Sequence, residues 1–174
     1  MSNITDTLTR WLEPLTDIAH RWAVRRATEP LWDGFSSCGL NSAGLTQDTA
    51  KVKIGASDFY AIANGVLVKV AAATDMAALV GTVVNATFNV FSFFVDSGGT
   101  LHTYMGQPAA TLGGVMFPQF PKNYAMIGFV IINPTGTGNF VGGTTSLSDG
   151  TVVPNAAYVN SEGPWNPYAL IGGG

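Results

Sequence analysis

At 174 residues the chain is one domain's worth of polypeptide, with 47% hydrophobic residues, enough for a packed core and too many for a disordered chain. Charged residues make up only 11% against about 25% in an ordinary soluble domain, and a formal net charge of −3 gives no strong attraction to a phosphate backbone. A surface of Thr, Ser, Asn and Gly with so little charge is expected to meet other protein, because charge is what keeps free monomers soluble and apart.

The charges are unevenly placed: nine of the nineteen fall within residues 1–33. In that stretch Ile4, Leu8, Trp11, Leu15, Ile18 and Trp22 recur at spacings of four and three, the seam of a heptad repeat. Asp6 before Arg10 and Asp17 before Arg21 are acid–base pairs in the favourable helical order. Pro14 removes a backbone donor and predicts a kink or a fresh helix start. Residues 1–33 therefore read as an amphipathic helical arm, packed either on its own domain or on a neighbouring subunit, with Trp11 and Trp22 buried in both cases. Asp6, Arg10 and Glu13 interrupt any secretion signal, and Lys69 and Asp75 interrupt the best candidate membrane span, so the expectation is a chain made in the cytoplasm and free of membrane.

Residues 34–50, small, polar and without a period, read as a linker. From 51 to 171 the pattern is β. Polar and apolar residues alternate over Lys51–Ile54. Phe59–Ala63 and Val66–Val70 flank Asn64-Gly65, a strong type I′ hairpin signal. Residues 71–79 read as a helical turn or crossover. A long strand over Asn85–Asp96, with Phe88, Val90 and Phe94 alternating with Asn89 and Ser92, turns through Ser97-Gly98-Gly99 into Thr100–Met105. Residues 106–123 form a loop, Tyr124–Ile132 a central strand buried on both faces, and short strands follow near Phe140, Val152 and Tyr158. Residues 172–174 are an expected flexible tail. The fold predicted is mainly β, an antiparallel β-sandwich or small barrel preceded by the helical arm.

The inventory for catalysis is thin. His102 follows a hairpin turn that holds Asp96 and Ser97, but no nucleophile elbow surrounds that serine. The body's acids sit mostly beside Ser, Thr or Gly, where turn formation accounts for them. Cys38 is the lone cysteine and reads as a small buried hydrophobe. No spacing suits a metal, a phosphate loop or a dinucleotide, so no catalytic residue, metal or cofactor is expected. Phe117 and Phe120, in the 106–123 loop, are the body's candidate apolar anchors; outside that loop no other large one stands out.

Three stretches carry a resemblance: Phe91–Leu101 (FSFFVDSGGTL), Ala125–Asn133 (AMIGFVIIN) and Asn139–Leu147 (NFVGGTTSL). Together they resemble a segment of small β-rich virion structural proteins of tailed bacteriophages, of the head decoration, cement or head-fibre type. The resemblance implies a non-enzymatic capsid decoration subunit, a homo-oligomer (a trimer as the first expectation) that contacts the major capsid protein or another virion protein and assembles in the host cytoplasm. Tail-fibre, baseplate or head–tail connector subunits, and a receptor- or glycan-binding module using the 106–123 loop, are the alternatives. The expected contact residues are Ile4, Leu8, Trp11, Leu15, Ile18, Trp22, Phe117 and Phe120, and exposed Phe117, Phe120 and Trp165 would favour the binding module.

Overall fold

Asn64 and Gly65 both adopt positive φ, 51° and 76°, as a type I′ turn demands, and the chain reverses there between two strands of five residues. This is a computed structural model that describes residues 22–24, 26 and 36–164. The chain divides into two units after Gly34. In the first, Trp22–Val24 and Arg26 are helical, and Ile4, Leu8, Trp11, Leu15 and Ile18 lie outside the described residues. So do Trp165 and the 172–174 tail.

The second unit is mainly β and wholly antiparallel. Its strands are β1 (Cys38–Gly39), β2 (Thr46–Asp48), β3 (Lys51–Lys53), β4 (Phe59–Ala63), β5 (Val66–Val70), β6 (Thr82–Val83), β7 (Asn89–Val95), β8 (Leu101–Met105), β9 (Ala125–Ile132), β10 (Phe140–Val141) and β11 (Ala157–Asn160). They form a four-stranded sheet in the order β11-β9-β7-β8, a three-stranded sheet β1-β4-β5, and the pairs β2-β3 and β10-β6. Among the described residues no sheet closes into a barrel.

The 34–50 linker is corrected. Residues 38–48 belong to the body: Cys38 and Gly39 pair with Ile62 and Ala61, Thr46–Asp48 pairs with Lys51–Lys53, and Cys38, Ala43 and Leu45 are buried. The domain therefore begins ahead of residue 51. Val152 is corrected too, since it lies in a turn whose amides at Val152 and Val153 both reach the Asp149 carbonyl. Residues 71–79 are non-helical, and Met76 and Leu79 anchor them in the core.

The main core collects Phe59, Ala61, Ala63, Val68 and Val70 from β4 and β5, and Phe91, Phe93, Val95, Ile127, Val130 and Ile132 from β7 and β9. The other face of the four-stranded sheet carries a second cluster, Val90, Phe94, Met126 and Phe129, covered by Val115, Phe117, Phe120 and Tyr124. Every residue of β7 is consequently buried, including Asn89, which shares a face with Phe91 and Phe93, and Ser92, which shares the opposite face with Val90 and Phe94. Asn89 tolerates this by donating to the Gly106 carbonyl at 3.2 Å and accepting from the Val90 amide at 2.8 Å.

β9 carries the expected doubly covered strand, with Ile131 only half-buried. A bulge changes its phase: Phe93 faces Gly128 and Phe94 faces Met126, leaving Ile127 as the extra residue. The bulge turns Ile127 and Ala125 to the same side as Val130 and Ile132, filling the main core. Gly128 is required by close approach: a Cβ there would lie 2.3 Å from the Val159 carbonyl oxygen and 2.7 Å from Leu45 Cδ1.

Candidate functional site

His102 and Asp96 meet at the tip of the β7–β8 hairpin, Nε2 to Oδ2 at 3.0 Å. The other carboxylate oxygen accepts the backbone N–H groups of Gly98 and Thr100, both at 2.9 Å, so Asp96 closes the turn that the sequence places there. The His102 hydrogen bond, followed by the Thr100 amide, holds the Asp96 carboxyl below its ordinary value of 3.8. The imidazole is stacked on Tyr124 with ring centroids 4.8 Å apart and runs nearly parallel to Tyr104 at 6.3 Å. Ser97 makes no hydrogen bond to His102 among the described residues, so the pair has a carboxylate engaged in turn formation and no nucleophile in line with it. No group of three His, Cys, Asp or Glu side chains able to hold a metal is found among the described residues. Cys38, in no disulfide, has its thiol pKa raised by burial, and burial also raises that of Tyr158.

Asp96, Asp58 and Asp149 behave alike. Lys69 and then the Ala72 amide lower Asp58, and the Thr151 hydroxyl and then its amide lower Asp149, each from 3.8. A carboxyl whose folded-state pKa is depressed contributes stability that is complete above its unfolded value and is lost as pH falls through the folded value. Melting temperature is therefore expected to hold down to about pH 4 and to fall steadily below it. Asp96→Asn should lower the neutral-pH melting temperature and shrink the acid-induced fall; an acid fall equal to the wild type's would show that Asp96 contributes nothing to it.

Phe117 and Phe120 are placed in contact, but as core cover. Phe117 meets Phe129 edge-on at 4.9 Å, Phe120 meets Phe94 edge-on at 5.3 Å, and the two lie 6.2 Å apart. Both are half-buried on their own sheet, so the 106–123 loop presents fewer free aromatics than its composition suggests. Trp22, expected to be buried, is 58% exposed.

The surface that sequence reasoning missed is the outer face of the three-stranded sheet. Alternation sends Phe59, Ala61, Ala63, Val68 and Val70 inward and leaves Tyr60, Ile62, Leu67 and Lys69 outward. The Leu40 amide donates to the Tyr60 carbonyl at 2.9 Å and brings Leu40 alongside. Leu67 is 67% exposed and Leu40 51%. These correct the expectation that no large apolar anchor exists outside the 106–123 loop. The signal was present in the hairpin itself, whose outward positions hold Tyr, Ile and Leu where a solvated face would hold polar residues.

The one charged side chain of this face is neutralised locally, Lys69 pairing with Asp58 at 2.7 Å; on the separate β2-β3 pair Lys51 meets Asp75 at 2.9 Å and Lys53 meets Asp48 at 3.7 Å. The result is a nearly neutral, partly apolar surface suited to protein contact and ill suited to phosphate. No family model, curated protein or solved structure matches the chain.

Proposed function

We propose that this protein is a non-enzymatic virion structural protein, a capsid decoration or cement subunit that stabilises a head by protein–protein contact as a homo-oligomer. The observation that carries the reading is the apolar outer face of the three-stranded sheet, with Leu40, Tyr60 and Leu67 exposed, Ile62 half-buried and Lys69 already paired with Asp58. Such a face costs little desolvation on association, because few charges lose water. The charge-poor composition and the resemblance of about residues 86–150 to phage virion proteins point the same way. The β-body is read as a sandwich, its main core held between the three- and four-stranded sheets, with the seam Ile4, Leu8, Trp11, Leu15, Ile18 and Trp22 as a helical arm that adds apolar contact with neighbouring virion protein.

One observation favours a glycan- or receptor-binding module instead: the row Phe94, Tyr104, His102 and Tyr124 reaches the surface at Tyr104, and flat aromatic rings suit sugar faces. Co-sedimentation with purified capsid shells separates the readings. The wild-type chain is expected to pellet with the shells. Changing Trp11 and Trp22 together to Ser should leave the body's melting transition in place and the protein in the supernatant. Equal pelleting of both would show that the arm makes no contact with the shell. Loss of shell binding on Tyr104→Ala, with the tryptophan variant unaffected, would favour the aromatic row.

A further inference from the structure

β5 is an open edge. It pairs with β4 on one side and, among the described residues, with no strand on the other. In a two-residue hairpin the residues flanking the turn exchange hydrogen bonds, here Ala63 and Val66. Val68 and Val70 therefore also aim their N–H and C=O groups at β4, and Leu67 and Lys69 aim theirs outward. Those outward groups have no hydrogen-bond partner among the described residues.

Natural edges are blunted by proline, by a bulge, by a covering element or by a charge that projects from the strand. β5 has neither proline nor bulge. Its one charge is drawn back over its own sheet, Lys69 Nζ lying 2.7 Å from Asp58 and 6.0 Å from the centroid of the Tyr60 ring. What remains is an open strand edge with Val66 and Leu67 exposed beside the inward-facing Val68, ready to accept another strand.

We infer that β5 pairs with β5 of a second copy, antiparallel about a two-fold axis at Val68, joining two three-stranded sheets into one. Register and charge select this occupant. A two-fold arrangement offers three ways to pair the outward residues. Lys69 opposite Lys69 sets like charges directly across, which is destabilising. Leu67 opposite Leu67 runs Lys69 against the Asn64-Gly65 turn of the other copy and forfeits part of the ladder. Leu67 opposite Lys69 uses every outward N–H and C=O of both strands and keeps the two ammonium groups apart. It also lays the aliphatic stem of each Lys69 over the other copy's Leu67. Leu40, Tyr60 and Ile62 of the two copies then share one continuous apolar face. The contact is isologous, each copy supplying the same strand, and it holds whether or not the protein coats a capsid.

Two exposed-site substitutions test it by sedimentation equilibrium of the full chain. Leu67→Lys sets an ammonium opposite Lys69, and Leu67→Glu sets a carboxylate there; both remove the same leucine. Thermal melting confirms that each variant folds, as expected for a side chain this exposed. The association constant should fall by about tenfold or more for Leu67→Lys and stay within about threefold of wild type for Leu67→Glu. Equal weakening by both, weakening by neither, or a wild-type chain that shows no association at about 0.1 mM would overturn the pairing. The last outcome would leave the edge to a strand from a different protein.

Discussion

Phe91→Ala should lower the free energy of unfolding by about 3–5 kcal/mol, the largest effect expected of any single truncation in the body. The ring is fully buried at the centre of β7, the strand flanked by β8 and β9. It meets Phe140 edge-on at 6.0 Å, so its loss also removes an aromatic contact worth about 0.5–1.5 kcal/mol beyond area burial. The site cannot collapse easily, because β7 is held by ladders on both sides. Phe129, on the second cluster and 8% exposed, should cost less, since the covering loop can settle toward the gap. Denaturant unfolding measures both. A loss below about 1 kcal/mol at Phe91 would mean that the main core is not organised around β7.

The second large effect concerns where the body begins. A chain shortened to start at Phe35 should keep a cooperative melt and β-type circular dichroism, while one shortened to start at Ala50 should fail to fold. The shorter chain loses the ladder of Cys38 and Gly39 with Ile62 and Ala61 and the pairing of β2 with β3. It also loses the 2.8 Å hydrogen bond from the Leu45 amide to Asn160 Oδ1 and the Ser36 carbonyl that accepts the Gly65 amide at the hairpin turn. Burial of Leu45 alone contributes about 1.5–3 kcal/mol, and each lost hydrogen bond about 1 kcal/mol. Against a total stability of about 5–15 kcal/mol for a domain, the sum is decisive. A cooperative melt from the chain starting at Ala50 would show that residues 35–49 are dispensable after all.

That error of boundary shows where sequence reading stops. The β4–β5 hairpin was legible to the residue because Asn64-Gly65 admits few other conformations. The β7–β8 turn was legible because Asp96 brings its own acceptors. β9 was legible because an unbroken apolar run of its length suits a doubly covered strand. β1 and β2, by contrast, are two and three residues long, too short for any period to register. They are strands only because β4 and β3, distant or adjacent in sequence, offer them partners. The bulge at Ile127 was equally hidden: Gly128 hints at it, but the phase change depends on how β9 lies against β7. In the site, the His102–Asp96 contact follows from turn chemistry and was readable. The burial of Phe117 and Phe120 depends on a loop folding back over a sheet face, which no local pattern announces. The outward row of Tyr60, Ile62 and Leu67 was available from hairpin parity alone.

The proposed role makes this chain a stoichiometric part of a virus particle. It is tested most directly by quantitative mass spectrometry of virus particles purified from cells that make this chain, counting it against the major shell subunit. The account predicts the chain in the particles, in a copy number comparable with that of the shell subunit and retained on tailless heads. A handful of copies that leave with the tails would move it to a tail structure. Its absence from the particles would contradict the account.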